Sequence, residues 1–266
     1  MRYGPQKRPG DSIWKKILSP LVVIGLLLLN WGGKLKFIIL PLVKFFPMLL
    51  KTGGSMILSI GAYAMLYGWK WGVGLVVLIL VHELGHLVAA RMVGLKVGLP
   101  VFIPLMGAII ALKEAPKNAW IEAIVGIGGP ILGSVGALVC YGLYLATGQP
   151  LFRDLAFTGC FLNLFNLAPI GFLDGGRIAT AISPWLWVVG TAIVTAMIFV
   201  SFNPLLVLIL IFSLPRLWSL FRKQTDEEKR YFETTPERRA IMAALYFGLA
   251  AVLAVGMKLI HDSSAL

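Results

Sequence analysis

Residues 71–93 read WGVGLVVLILVHELGHLVAARMV, an apolar run interrupted in its middle by His82, Glu83 and His86. A helix that crosses a bilayer needs about 20 predominantly apolar residues, and this run supplies them. On a helix, positions i and i+4 lie one above the other, so the rings of His82 and His86 can point at a single metal ion. Glu83 follows His82 directly, near enough to reach a water held by that metal. Two imidazoles and a carboxylate are costly in the centre of an apolar span and mark function by default. The run therefore points to lipid as the solvent and to a metal as the chemistry.

Composition agrees with the first inference. Of 266 residues, 58% are hydrophobic and 14% charged, against roughly 45–50% and about 25% in soluble domains. Lys and Arg number 24 against 12 Asp and Glu, a net charge of +12. The basic residues fall between apolar runs, as the positive-inside bias of membrane loops requires, and form no single polar face for nucleic acid. Cys140 and Cys160 lie in apolar stretches without CxxC spacing and read as small buried hydrophobes. Arg2, Lys7, Arg8, Lys15 and Lys16 precede the apolar residues 21–29, a signal-peptide-like order. Asn30, Trp31, Gly32, Gly33 and Lys34 follow in place of a small-residue cleavage site, so an uncleaved anchor with a cytosolic N-terminus is expected.

Apolar runs occupy residues 17–30, 35–50, 54–67, 71–93, 120–145, 155–172, 185–214 and 241–260. They predict an all-α polytopic membrane protein with six to eight transmembrane helices. Residues 185–214 are too long for one straight helix and contain Asn203-Pro204, where a break is expected. Residues 97–112 hold Pro100, Pro104, Gly98 and Gly107, which argues for a re-entrant, extended or hairpin-like loop. At membrane depth such backbone must be covered by protein or line a wet cavity. Residues 216–239 mix seven basic with five acidic side chains and read as a basic cytosolic loop, with room for a surface-lying helix. The chain then divides into N-terminal membrane segments (1–70), a core carrying the chemistry (71–181) and C-terminal membrane segments with the basic loop (182–266).

A catalytic zinc takes three protein ligands plus a water, so His82 and His86 need a third. His261 stands beside Asp262 near the C-terminus and fits a membrane edge. Asp174 is the one carboxylate outside the obvious polar stretches. Followed by Gly175, Gly176 and Arg177, it also suits the N-terminus of a helix as a cap. In a chain whose histidine pair lacks a partner, it becomes the candidate ligand.

The pairing of His82-Glu83-Leu84-Gly85-His86 with the later Asn166-Leu-Ala-Pro169-Ile-Gly-Phe-Leu-Asp174-Gly175 resembles the site-2 protease family of intramembrane zinc metalloproteases (peptidase family M50). The resemblance covers roughly residues 71–181 and is to a minimal form, without a PDZ or cystathionine-synthase-type domain. It implies one Zn2+ per chain held by His82, His86 and Asp174, with Glu83 as catalytic base. It also implies that Asn166 supports the substrate carbonyl or holds the site. Gly129-Pro130 falls where relatives often carry Gly-Pro followed by Asn, but Ser134 stands nearby instead. Gly129 and Gly133, at i and i+4, read as close helix-packing positions.

The resemblance further implies a single-pass transmembrane protein or leftover signal peptide as substrate, membrane lipid as surroundings, and a bacterial or archaeal cell membrane as location. Residues 97–112 could offer an edge strand to an unwound substrate or form a passive re-entrant plug. Two alternatives compete with the protease reading. One is another membrane HExxH peptidase, of the CAAX-processing or heat-shock type, with a glutamate as third ligand; Glu114 and Glu122 are its candidates. The other is a zinc transporter or scaffold without hydrolytic activity.

Overall fold

The computed structural model describes residues 52–263. The expected membrane segments at 17–30 and 35–50, and the placement of the N-terminus, lie outside these residues. The described chain runs α1 (Thr52–Tyr67), α2 (Trp69–Met92), β1 (Val97–Ile103), β2 (Gly107–Leu112), α3 (Ala119–Thr147), α4 (Pro150–Asn166), α5 (Asp174–Ile182), α6 (Leu186–Val200), α7 (Pro204–Phe221), α8 (Asp226–Phe232) and α9 (Pro236–Asp262). It is a helical protein with one two-stranded antiparallel sheet.

Three helices, α2, α3 and α9, are long and apolar enough to cross a membrane, and α6 and most of α7 form shorter apolar helices. In α9 the contrast between faces is weak. It buries Met242, Tyr246, Leu253 and Ile260 yet leaves Ile241, Leu245, Phe247, Val252, Val255 and Leu259 exposed. A helix apolar on both faces is stable only where its outer face meets lipid or more protein. The break expected at Asn203-Pro204 is present: α6 ends at Val200, and α7 begins at Pro204, where the missing N–H of proline is no loss.

Gly68 is the single residue between α1 and α2, at φ 87°. That left-handed conformation comes readily to glycine and lets α2 fold back against α1. The two helices then enclose Leu75, Val76, Ile79 and Phe102 with Met56, Ile60 and Tyr63. A larger cluster joins α3, α4, α5 and α9 through Ala123, Ile127, Ala156, Cys160, Ile178, Met242 and Tyr246. The Tyr246 hydroxyl donates to the Leu167 carbonyl at 2.5 Å, tying α9 to the end of α4.

Residues 97–112 form the hairpin their prolines and glycines foretold. Val101 faces Ile109, Phe102 faces Ala108 and Ile103 faces Gly107, with an irregularity between Val97 and Pro100. The outer edge of β1 is covered by α1: the Phe102 N–H donates to Ser55 Oγ at 3.0 Å, and the Thr52 hydroxyl donates to the Pro100 carbonyl at 2.7 Å. Because backbone groups alternate sides along a strand, Ala108 and Ile110, opposite Phe102 and Pro100, direct their own N–H and C=O to the outer edge of β2. No strand among the described residues pairs with that edge.

The polar stretch is less loop-like than its composition suggests. Helix α7 continues through Pro215 to Phe221, so Arg216 stands on a helix and is half-buried. Helix α8 follows as the short polar helix expected there. It is closed by a capping box in which Thr225 and Glu228 each accept the other's backbone N–H.

Candidate metal centre

Helix α2 places His82 and His86 on one buried face, with Glu83 beside them; all three are less than 9% exposed. Asp174 opens α5 in its first turn, where the helix dipole favours a carboxylate. Its Oδ2 turns toward the histidines, 3.1 Å from His82 Nε2 and 3.2 Å from His86 Nε2.

The other nitrogen of each ring decides what these distances mean. His82 Nδ1 lies 2.8 Å from Asn163 Oδ1, and His86 Nδ1 lies 2.8 Å from the Val125 carbonyl. The Asn163 amide nitrogen donates to the Gly159 carbonyl at 2.7 Å, which fixes its oxygen toward the ring. Both partners are acceptors, so each imidazole carries its proton on Nδ1 and presents a lone pair at Nε2. The two Nε2 atoms are 3.1 Å apart, and Asp174 Oδ2 is buried with no donor to satisfy it. With both rings neutral, three lone-pair atoms converge with no proton between them. A bound cation makes that arrangement favourable, and orientation of ligand imidazoles through the far nitrogen is the usual supporting pattern. Among the described residues this is the one His/Cys/Asp/Glu grouping able to hold a metal ion.

Glycines make the close approach possible. A methyl group at Gly129 would collide with His86 Nε2, and one at Gly133 with the Asn163 carboxamide. Gly85 meets the Gly128 backbone with no room for a Cβ. The expected close packing at Gly129 and Gly133 thus holds, and what packs there is His86 and the Asn163 that partners His82. Gly175 and Gly176 lie against the carbonyls of Leu167 and Ile170, so only hydrogen side chains let the turn fold under Asp174.

Of the residues singled out by sequence, His82, His86, Asp174 and Glu83 come together. Asn166 ends α4 half-buried, and its amide donates to the Leu162 carbonyl of its own helix at 3.0 Å. It makes no hydrogen bond to the cluster. Asn163, one turn earlier, makes that bond instead. The motif spacing to Pro169 singled out Asn166; the phase of Asn163 with Gly159 on one face of α4 was the signal for the other asparagine. Glu114 and Glu122, the candidate ligands of the alternative peptidase reading, are elsewhere engaged. Glu114 pairs with Lys96 at the surface and Glu122 with Arg216.

Comparison with known proteins bears on the first half of this site. Residues 71–157 match peptidase family M50. The M50 segment contains His82, Glu83 and His86 and ends before Asn163 and Asp174. The chain is also similar to a zinc metalloprotease of Methanocaldococcus jannaschii, MJ0392, with 32% identity over 135 residues, 48% of this chain and 39% of that one. The putative zinc metalloprotease Rip3 of Mycobacterium tuberculosis is 31% identical over 141 residues, 48% of this chain and 35% of its own. The probable chloroplastic zinc metalloprotease EGY2 of Arabidopsis thaliana is 29% identical over 146 residues, 38% of this chain and 26% of its own. The chain thus spans two fifths or less of the length of the curated relatives it matches.

Proposed function

We propose that this chain is an intramembrane zinc metalloprotease that hydrolyses peptide bonds of transmembrane substrates. The observation that carries the reading is the convergence of His82 Nε2, His86 Nε2 and Asp174 Oδ2 within 3.2 Å of one another. Two nitrogens and one carboxylate oxygen, with a position left open, are the donor set of catalytic zinc sites. Zinc held there supplies a Lewis acid that brings the pKa of a water toward about 7 and polarises the scissile carbonyl.

The chain's own residues supply the remainder. Glu83, buried next to His82, takes the proton of the attacking water and returns it to the leaving amine nitrogen as the C–N bond breaks. Asn163 and the Val125 carbonyl hold the rings in the tautomer that leaves Nε2 unprotonated. Asn166, at the end of α4, supports the substrate carbonyl. Lipid supplies no water, so the site opens through a polar cavity to one aqueous side, the cytosolic one.

The substrate is a single-pass transmembrane protein or a leftover signal peptide. Its helix must unwind before cleavage, because a peptide bond within an intact helix is hydrogen-bonded and shielded. The outer edge of β2, with which no described strand pairs, captures the unwound stretch by strand addition. Six to eight membrane segments, a cytosolic N-terminus and a bacterial or archaeal cell membrane complete the reading.

The experiment is Glu83→Gln, compared with wild type by metal content and by the membrane proteome of cells carrying each. A protease keeps its zinc, loses cleavage and lets a single-pass protein accumulate. Retention of full function by Glu83→Gln would instead favour a transporter or scaffold.

A further inference from the structure

A second polar cluster lies beside the turn that carries Asp174. Glu122 enters it from the first turn of α3, with its side chain only 13% exposed. Its Oε1 accepts from Arg216 Nη2 at 2.5 Å, and its Oε2 accepts from the Tyr231 hydroxyl at 2.8 Å. The Thr180 hydroxyl lies 3.3 Å from Oε2. The other arm of the guanidinium, Nη1, donates to the Gly171 carbonyl at 2.6 Å. The guanidinium also covers the Trp187 ring, 4.9 Å from its centroid, and the Trp187 indole N–H donates to the Gly176 carbonyl at 2.8 Å.

Gly171 and Gly176 bracket Asp174 in the chain. The cluster therefore grips the metal-facing turn on both sides, from four separate helices: α3 (Glu122), α6 (Trp187), α7 (Arg216) and α8 (Tyr231). Arginine is required for this geometry, because its planar fork serves two acceptors pointing in different directions, which an ammonium does poorly. A surface ion pair would do little work. This pair is sheltered, and its other arm ends on the backbone carbonyl of Gly171, in the irregular chain just before Asp174.

We propose that Glu122, Arg216 and Tyr231 are positioning residues, forming a latch that keeps the Asp174 turn at ligating distance and links it to the polar helix α8. The proposal rests on Asp174 being a metal ligand. With no cation bound, Asp174 Oδ2 and the two Nε2 atoms repel, and the turn has reason to move away. The latch opposes that movement. Loosening it lowers metal affinity because bringing Asp174 back then carries a larger cost.

The test uses the full chain in detergent with cobalt(II) as the metal probe, followed by visible d–d absorption and by competition with a chelator. Arg216→Met keeps the stem and removes both donors; Arg216→Lys restores one. Cobalt affinity should fall about 10–100-fold in Arg216→Met, the range for loss of an outer-shell partner, with altered d–d bands and partial recovery in Arg216→Lys. Tyr231→Phe should show a smaller loss in the same direction. If Arg216→Met does not fold, isosteric Glu122→Gln carries the test, with the same loss expected. A merely structural cluster would lower the melting temperature and leave cobalt affinity and spectrum unchanged, which overturns the latch. Wild-type protein that takes up no cobalt overturns the metal reading and the latch with it.

Discussion

The side-chain oxygen of Asn163 accepts the Nδ1 proton of His82 across 2.8 Å, while the amide nitrogen of the same residue is anchored to the Gly159 carbonyl. Asn163 is 2% exposed and cannot turn without losing both bonds. The ring of His82 is consequently committed to one tautomer before any metal arrives. Replacing Asn163 with leucine leaves the Nδ1 proton buried without an acceptor, at a cost of about 1–3 kcal/mol. Zinc affinity should drop about 10–100-fold in chelator competition, and Asn163→Asp, which still accepts, should retain most of it.

A second expectation follows from the smooth face of α3. Gly129→Ala drives a methyl group into Nε2 of His86, and Gly133→Ala drives one into Asn163. Gly142, on the same helix, has open space around it. Gly129→Ala should abolish stoichiometric zinc binding, and Gly133→Ala should weaken it. Gly142→Ala should match wild type. Metal analysis of the three purified proteins decides the matter; equal zinc in all three would contradict the packing account.

Metal removal should also register in stability. A ligand present at about 1,000 times its Kd stabilises the state that binds it by about 4 kcal/mol. Stripping the protein with a chelator should lower its melting temperature, and adding zinc back should restore it. In Asp174→Ala the melting temperature should no longer respond to zinc.

The hairpin offers a test by position. The Ile109 amide lies within the ladder to Val101, whereas the Ile110 amide faces outward. Ile110→Pro removes only the outward donor and should reduce cleavage while zinc content stays intact. Ile109→Pro removes a ladder bond and should damage the hairpin as well. Cleavage unaffected by Ile110→Pro would reject strand addition at this edge.

At the polar end, the Thr225 backbone N–H and, after it, the nearby Arg222 hold the Glu228 carboxyl below the usual glutamate range. A lowered folded-state value means its contribution is complete above the ordinary glutamate pKa and fades as pH falls through the lowered one. Protection of the Thr225 amide from hydrogen exchange, taken relative to its intrinsic rate at each pH, should therefore hold near neutrality and fall away only under acid conditions. Glu228→Gln should flatten that response.

Much of the centre could be read from residue order because its signals are local. His82, Glu83 and His86 share one helix, so periodicity alone places them together. Asp174 was separable from other carboxylates by its apolar surroundings, and the hairpin by its prolines and glycines. The supporting contacts were not readable, because they depend on how helices meet. Asn163 and Asn166 are three residues apart on α4, and only the approach of α2 and α3 assigns one of them to His82. Arg216 follows Pro215 and heads a charged stretch, which reads as the start of a loop. Proline removes one helical bond, yet the contacts of Arg216 with Glu122 and Gly171 accompany a helix that continues to Phe221.

The outer rim of β2 directs main-chain groups of Ala108 and Ile110 away from β1, and any residue except proline can answer both kinds. A guest held in that way is judged by how readily it straightens and hardly at all by its spelling. Under the proposed strand addition such an enzyme would accept many unrelated sequences and refuse stiff ones, and its clients would be better sought by surveying loosely wound segments than by searching for a consensus around the cut.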